Sequence, residues 1–108
     1  MKREPLDTSN FEQLITDASY CAVSAEIIFG GRKVRFMYRE EPVNDTDSGW
    51  QFLAGTETQE YLADPDNAAM YRLNTVANFD PAVIPYLTYP IGTDLERVKN
   101  SDEFTVIN

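Results

Sequence analysis

At 108 residues, with 43% hydrophobic and 25% charged positions, the chain has the make-up of one globular domain, able to remove roughly 65% of its unfolded surface from water. No apolar run approaches the roughly 18 residues of a membrane span, and a formal charge of −9 disfavours nucleic-acid and anionic-lipid partners while attracting cationic ones. With no histidine and one cysteine, the chain lacks the parts for Ser-His-Asp or Cys-His catalysis, histidine-bearing zinc sites and any internal disulfide.

Lys2 and Arg3 are followed by Glu4, Pro5 and Asp7, where a secretory signal needs a continuous apolar stretch, so the chain reads as cytoplasmic. A reducing compartment suits the lone Cys21, which is expected as a buried structural thiol because nothing supplies the base that activates a nucleophile.

Residues 1–18 read as an appended helix. Ser9 and Glu12 form a capping-box pattern, and Phe11, Leu14, Ile15 and Ala18 follow at helical spacing. Docking on the domain and projection from it are both compatible with this pattern. Residues 19–108 make the domain proper. Residues 20–24 and 27–29 are short strand candidates, and Gly30-Gly31 supplies the positive φ of a tight hairpin turn. Residues 34–40 alternate, with Val34, Phe36 and Tyr38 on one face and Arg35, Met37 and Arg39 on the other. Pro42 and the polar run at 44–49 break the pattern, and Trp50, Phe52 and Ala54 then alternate with Gln51 and Leu53, which predicts antiparallel pairing across an acidic loop.

Short helices are expected next. Thr56 with Gln59 caps one that carries Tyr61 and Leu62, and Asp64-Pro65-Asp66-Asn67 stops it as a turn. Asn74 opens another with Val76 and Phe79, and Asp80-Pro81 starts a third that Pro85 keeps short. Residues 93–98 read as a strand, and 104–107 as a further strand or a loose end. The fold class is α+β: a small antiparallel sheet with short helices packed on one face.

Eight acids and no Lys or Arg lie between Glu40 and Tyr71. The run at 44–49 has the Asp and Asn of a calcium loop but not its register. Starting at Asp45 puts Trp50 where the glycine belongs, and starting at Asn44 puts Gly55 where the bidentate Glu belongs. A solvated turn is expected, with no metal or cofactor. Paired carboxylates such as Glu40 with Glu41, or Asp64 with Asp66, have neither a phosphate loop nor a nucleophile elbow beside them, so no catalytic residues are expected. Of six Phe, six Tyr and one Trp, several lie beside the acidic stretch. Packing accounts for most of them, but aromatic anchors ringed by carboxylates also capture Arg-rich or Lys-rich partners. The candidate partner-binding set is Glu40, Glu41, Asp45, Asp47, Trp50, Glu57, Glu60, Tyr61, Asp64 and Asp66.

The ordered blocks Met37-Tyr38-Arg39-Glu40-Glu41-Pro42, Asp47-Ser48-Gly49-Trp50-Gln51-Phe52 and Gly55 resemble those of the bacterial immunity protein 33 family. So do Pro65-Asp66-Asn67, Leu73-Asn74-Thr75-Val76-Ala77-Asn78, Asp80-Pro81 and Ile84-Pro85, so that the likeness spans residues 20–98 and leaves the N-terminal segment outside. The resemblance implies an α+β domain that neutralises a cognate toxin of a polymorphic toxin system by binding it, and brings no catalytic residues. Tyr38, Arg39, Ser48, Gly49 and Asn74 fall on the family blocks, where they either hold the fold together or touch the toxin. A buried contact between Arg39 and Asp47 would be the structural version. The expected partner is thus a toxin with a basic surface; the alternative is a small-ligand or regulatory sensor with Trp50 lining its pocket.

Overall fold

The alternation at residues 34–40 produces strand β2 (Phe36–Arg39), which pairs antiparallel with β3 (Asp47–Leu53), Met37 opposite Phe52 and Tyr38 opposite Gln51. In the computed structural model, which describes residues 9–107, this hairpin is the centre of a six-stranded mixed sheet of order β4-β1-β3-β2-β5-β6. The other strands are β1 (Tyr20–Ser24), β4 (Ala68–Arg72), β5 (Asp94–Arg97) and β6 (Phe104–Val106). The α+β class is as expected. Four of the strand pairs are antiparallel, but β1 runs parallel to β3. The chain leaves β1 through a helix and returns beyond the position that β3 takes, so the hairpin inserts β3 between β1 and β2 in the direction of β1.

Parity decides which side of the sheet is core. Cys21 and Val23, Met37, Trp50 and Phe52, Leu95 and Phe104 point to one face and are buried there. They pack with Ile27 and Ile28 of α1 (Ala25–Ile28), Leu73 and Val76 of α3 (Leu73–Phe79) and Val83 of the 3₁₀ helix Pro81–Tyr86. The helices thus supply their buried residues to a single face.

Several local expectations change. Residues 27–29 are not a strand. Ser24 accepts from the Glu26 N–H and caps α1, and burial of Ile27 and Ile28 against the sheet overrides their β preference. Gly30-Gly31 consequently forms the exit from α1 and not a hairpin turn. Helix α2 (Gln59–Ala63) is capped by Thr58, two residues later than the pattern suggested, because the Thr58 hydroxyl accepts from the Tyr61 N–H. Residues 9–18 contain no helix. They lie as an extended strap against α3, where side-chain amides take the backbone groups that a helix would have used internally; the rest of the anticipated helix, residues 1–8, lies outside the described residues. Strand β4 went unseen in the sequence, its residues being mostly exposed and without alternation.

Candidate functional site

Residues 40–49 are braced from within. Asp47 accepts from Val43 N–H at 3.0 Å and from Gly49 N–H at 2.9 Å, and Asn44 accepts from both the N–H and hydroxyl of Thr46. Asn44 and Asp47 are therefore committed to groups of the loop itself, as in a turn. Arg39 does not pair with Asp47: its Nε donates to the Ser48 carbonyl at 3.0 Å, its Nη1 to the Tyr89 carbonyl at 2.7 Å, and its guanidinium lies over the Trp50 ring. Ser48 is buried and accepts from the Trp50 N–H, and Gly49 has φ +86° with no room for a Cβ beside the Glu40 carbonyl. Trp50 is 1% exposed, stacks near Phe52 and donates its Nε1–H to the Leu87 carbonyl. It is a core residue and not a surface anchor.

The acids of the middle third do not form one patch. Glu41 and Asp45 sit in the loop before β3 and Asp47 is its first residue, whereas Glu57, Glu60, Asp64 and Asp66 follow it. With seven residues in β3, the two groups stand on the order of 20 Å apart at opposite ends of the sheet. At the far end, Glu57 caps the Ala54 and Gly55 N–H groups and Asp64 caps the following 3₁₀ turn through the Asp66 N–H. Tyr61 is half-buried there, and its carbonyl accepts from Asn67.

What joins the two ends is the sheet face opposite the helices. Pairing places Met70, Ala22, Gln51, Tyr38 and Asp94 in one row across five strands, with Leu53, Phe36, Glu96 and Thr105 in the next. Phe36 and Tyr38 stack with rings 6.1 Å apart and 11° from parallel. Carboxylates ring this stack. Glu40 accepts from Gln51 at 2.8 Å, and Glu96 is held by Arg35, which also lies over the Phe36 ring. Partial burial, followed by the nearby charges of Asp94, Glu96 and Glu57, pushes the Tyr38 hydroxyl above its usual range. Phe36, Asp94 and Glu96 were missed in the sequence, whose alternation assigns them to faces but not to neighbouring strands.

Cys21 is buried, its Sγ–H donates to the Tyr71 carbonyl, and burial pushes the thiol far up, so it is inert. Among the described residues no three Cys, Asp or Glu gather in a metal-holding group, and no helix is long and apolar enough to cross a membrane. An open cleft of about 580 Å³ between the α1 exit and β5 is basic, lined by Arg32, Lys33, Arg35 and Arg97.

No curated protein and no solved structure matches the chain. A family model, the Immunity protein Imm33 domain, matches residues 21–108, from the second residue of β1 through β6, and leaves the strap outside. By that match over most of its length, the chain belongs to the Imm33 immunity protein domain family.

Proposed function

We propose that this immunity-type domain protects by stoichiometric, non-catalytic binding of a cognate protein toxin, and that the open sheet face centred on Tyr38 is the surface it uses. The family match over residues 21–108 carries the first half of this reading. The second half rests on the Phe36–Tyr38 stack with Glu40, Glu57, Asp94 and Glu96 around it. An aromatic platform with a carboxylate rim suits Lys and Arg side chains, cation–π contact in the middle and ion pairs outside. The end-loop acids Glu41, Asp45, Glu60 and Asp66 extend the negative field and speed encounter without contributing much affinity.

The test is co-expression with a candidate toxin domain taken from a reading frame neighbouring the gene for this chain. The parent restores growth, and a Tyr38→Ala, Glu40→Gln double variant that retains the fold loses protection. Protection unchanged in that variant would remove the surface from the reading. Failure of the parent to bind or protect would remove toxin neutralisation itself.

A further inference from the structure

Two asparagines one turn apart on α3 hold the backbone of the strap. Asn78 Oδ1 accepts from the Glu12 N–H at 3.0 Å, while its Nδ2 donates to the Glu12 carbonyl at 2.8 Å and to the Asn74 carbonyl at 2.9 Å. Asn74 Oδ1 accepts from the N–H groups of Leu14 at 2.8 Å and Ile15 at 3.3 Å, and its Nδ2 also donates to the Glu12 carbonyl at 2.8 Å. A side-chain amide carries the donor and acceptor of a peptide unit on a short stem, so a pair of them at i and i+4 on one helix face reads an extended chain as an edge strand would.

Side-chain recognition is confined to two places. The Phe11 ring meets Phe79 edge-on at 5.5 Å, and Ile15 packs against the core. Glu12, Gln13 and Leu14 between them are exposed, and Glu12 and Leu14 are held through their backbone groups. The groove is also larger than its occupant: a cavity of about 430 Å³ opens beside Phe11, between Tyr20, Met70 and Thr75. Finally, Asn74, Asn78 and Phe79 lie inside the family-matched region, whereas the strap lies before it.

We propose that the α3 groove is a peptide-binding site of this domain. Its ligand is an extended polypeptide segment with an aromatic residue and, four positions on, a branched aliphatic one. Residues 11–15 are its tethered occupant, and a free segment of the same pattern takes the groove once the strap is cut from the domain. The hydrogen bonds that hold the strap are at exposed or half-buried sites, where each is worth little net, and such segments open far more easily than the core. The tether gives the strap a high local concentration, so a free segment competes only once that advantage is removed. This site is separate from the open sheet face and stands whether or not that face binds a toxin.

The experiment uses the full chain with a protease recognition sequence inserted between Thr16 and Asp17. After cleavage, a fluorescently labelled synthetic peptide of residues 9–16 is titrated and its anisotropy followed. The cut chain is expected to keep its circular dichroism spectrum and to take up one peptide saturably, while the uncut chain takes up little. Asn74→Ala with Asn78→Ala should weaken uptake by about tenfold or more, the loss of two or more hydrogen bonds. Peptides with Phe11→Ala or an N-methyl group on Leu14 should bind similarly weakly, whereas Gln13→Ala should bind like the parent. Collapse of the fold on cleavage, absence of saturable uptake, equal uptake by the uncut chain, or indifference to both asparagines would each overturn the proposal.

Discussion

Asp80 and Arg97 form a largely buried ion pair, and together they hold both backbone groups of Val34. Asp80 Oδ2 accepts from the Val34 N–H at 2.9 Å and from Arg97 Nη2, while Arg97 Nε donates to the Val34 carbonyl at 2.8 Å. Asp80 is 1% exposed, and Arg97 also reaches Asp102 and the Ser101 carbonyl. The pair ties the end of α3 to β5 and to the segment entering β2. It gives the Asp80-Pro81 block a structural role.

Removing Asp80 takes from Arg97 its buried partner, leaves it only the exposed Asp102, and strands the Val34 N–H. Asp80→Ala is therefore expected to destabilise the fold by about 3–5 kcal/mol, with Asp80→Asn less severe because it keeps an acceptor for the Val34 N–H. Urea unfolding followed by the fluorescence of the single Trp50 measures both. An Asp80→Ala protein as stable as the parent would show the pair to be dispensable.

Gly49 is the second residue whose place in the family blocks is explained by the backbone. Its φ of +86° is costly for any residue with a Cβ, and a Cβ there would also collide with the carbonyl of Glu40, whose N–H donates to the Gly49 carbonyl. Gly49→Ala should cost about 2 kcal/mol or more, and should loosen the 40–49 loop. Faster amide exchange at Glu40 and Gly49 than at Phe52 would report that loosening.

The central hairpin was legible because alternation, a turn-rich loop and renewed alternation all pointed to one pairing, which Tyr38 opposite Gln51 realises. Ile27 and Ile28 misled because β-branched residues suggest a strand, whereas the Ser24 cap and burial against the sheet decide for a helix turn. Strand β4 left no trace in the pattern, since Ala68 to Arg72 owe their conformation to pairing with β1. Charge summed along the sequence placed Glu41 and Asp66 in one region, but β3 carries the chain from one end of the sheet to the other between them. Trp50 stands among acids in the sequence and yet points inward, because one residue of parity separates it from the open-face Gln51.

Acid should weaken the fold partly through Glu57. Partial burial raises its carboxyl, but hydrogen bonds from Ser24 and from the N–H groups of Ala54, Glu57 and Gly55 outweigh that and hold it below its ordinary value of 4.5. The folded state therefore favours the ionised form. That contribution is complete above the ordinary value and is lost as pH falls through the lower folded one. Glu57→Gln should narrow the gap between the urea midpoints measured at pH 7 and at pH 3. An unchanged gap would remove Glu57 as a source of the acid sensitivity.

The open sheet face makes a prediction about which substitutions matter to a toxin and which do not. Tyr38 sits at the middle of the carboxylate ring and beside Phe36, so its ring is the part of the face that a bound cationic side chain desolvates most fully. Tyr38→Ala should cost about 2 kcal/mol of toxin affinity, whereas Tyr38→Phe, which keeps the stack, should cost much less. Glu41→Gln and Asp66→Asn, at the two ends, should slow association at low salt and leave dissociation almost unchanged, because exposed rim charges act on encounter more than on the docked state. Surface plasmon resonance at two ionic strengths separates these effects. If the end-loop variants raised the dissociation rate while Tyr38→Ala did not, the contact surface would lie at the ends of β3 and not on the face between them.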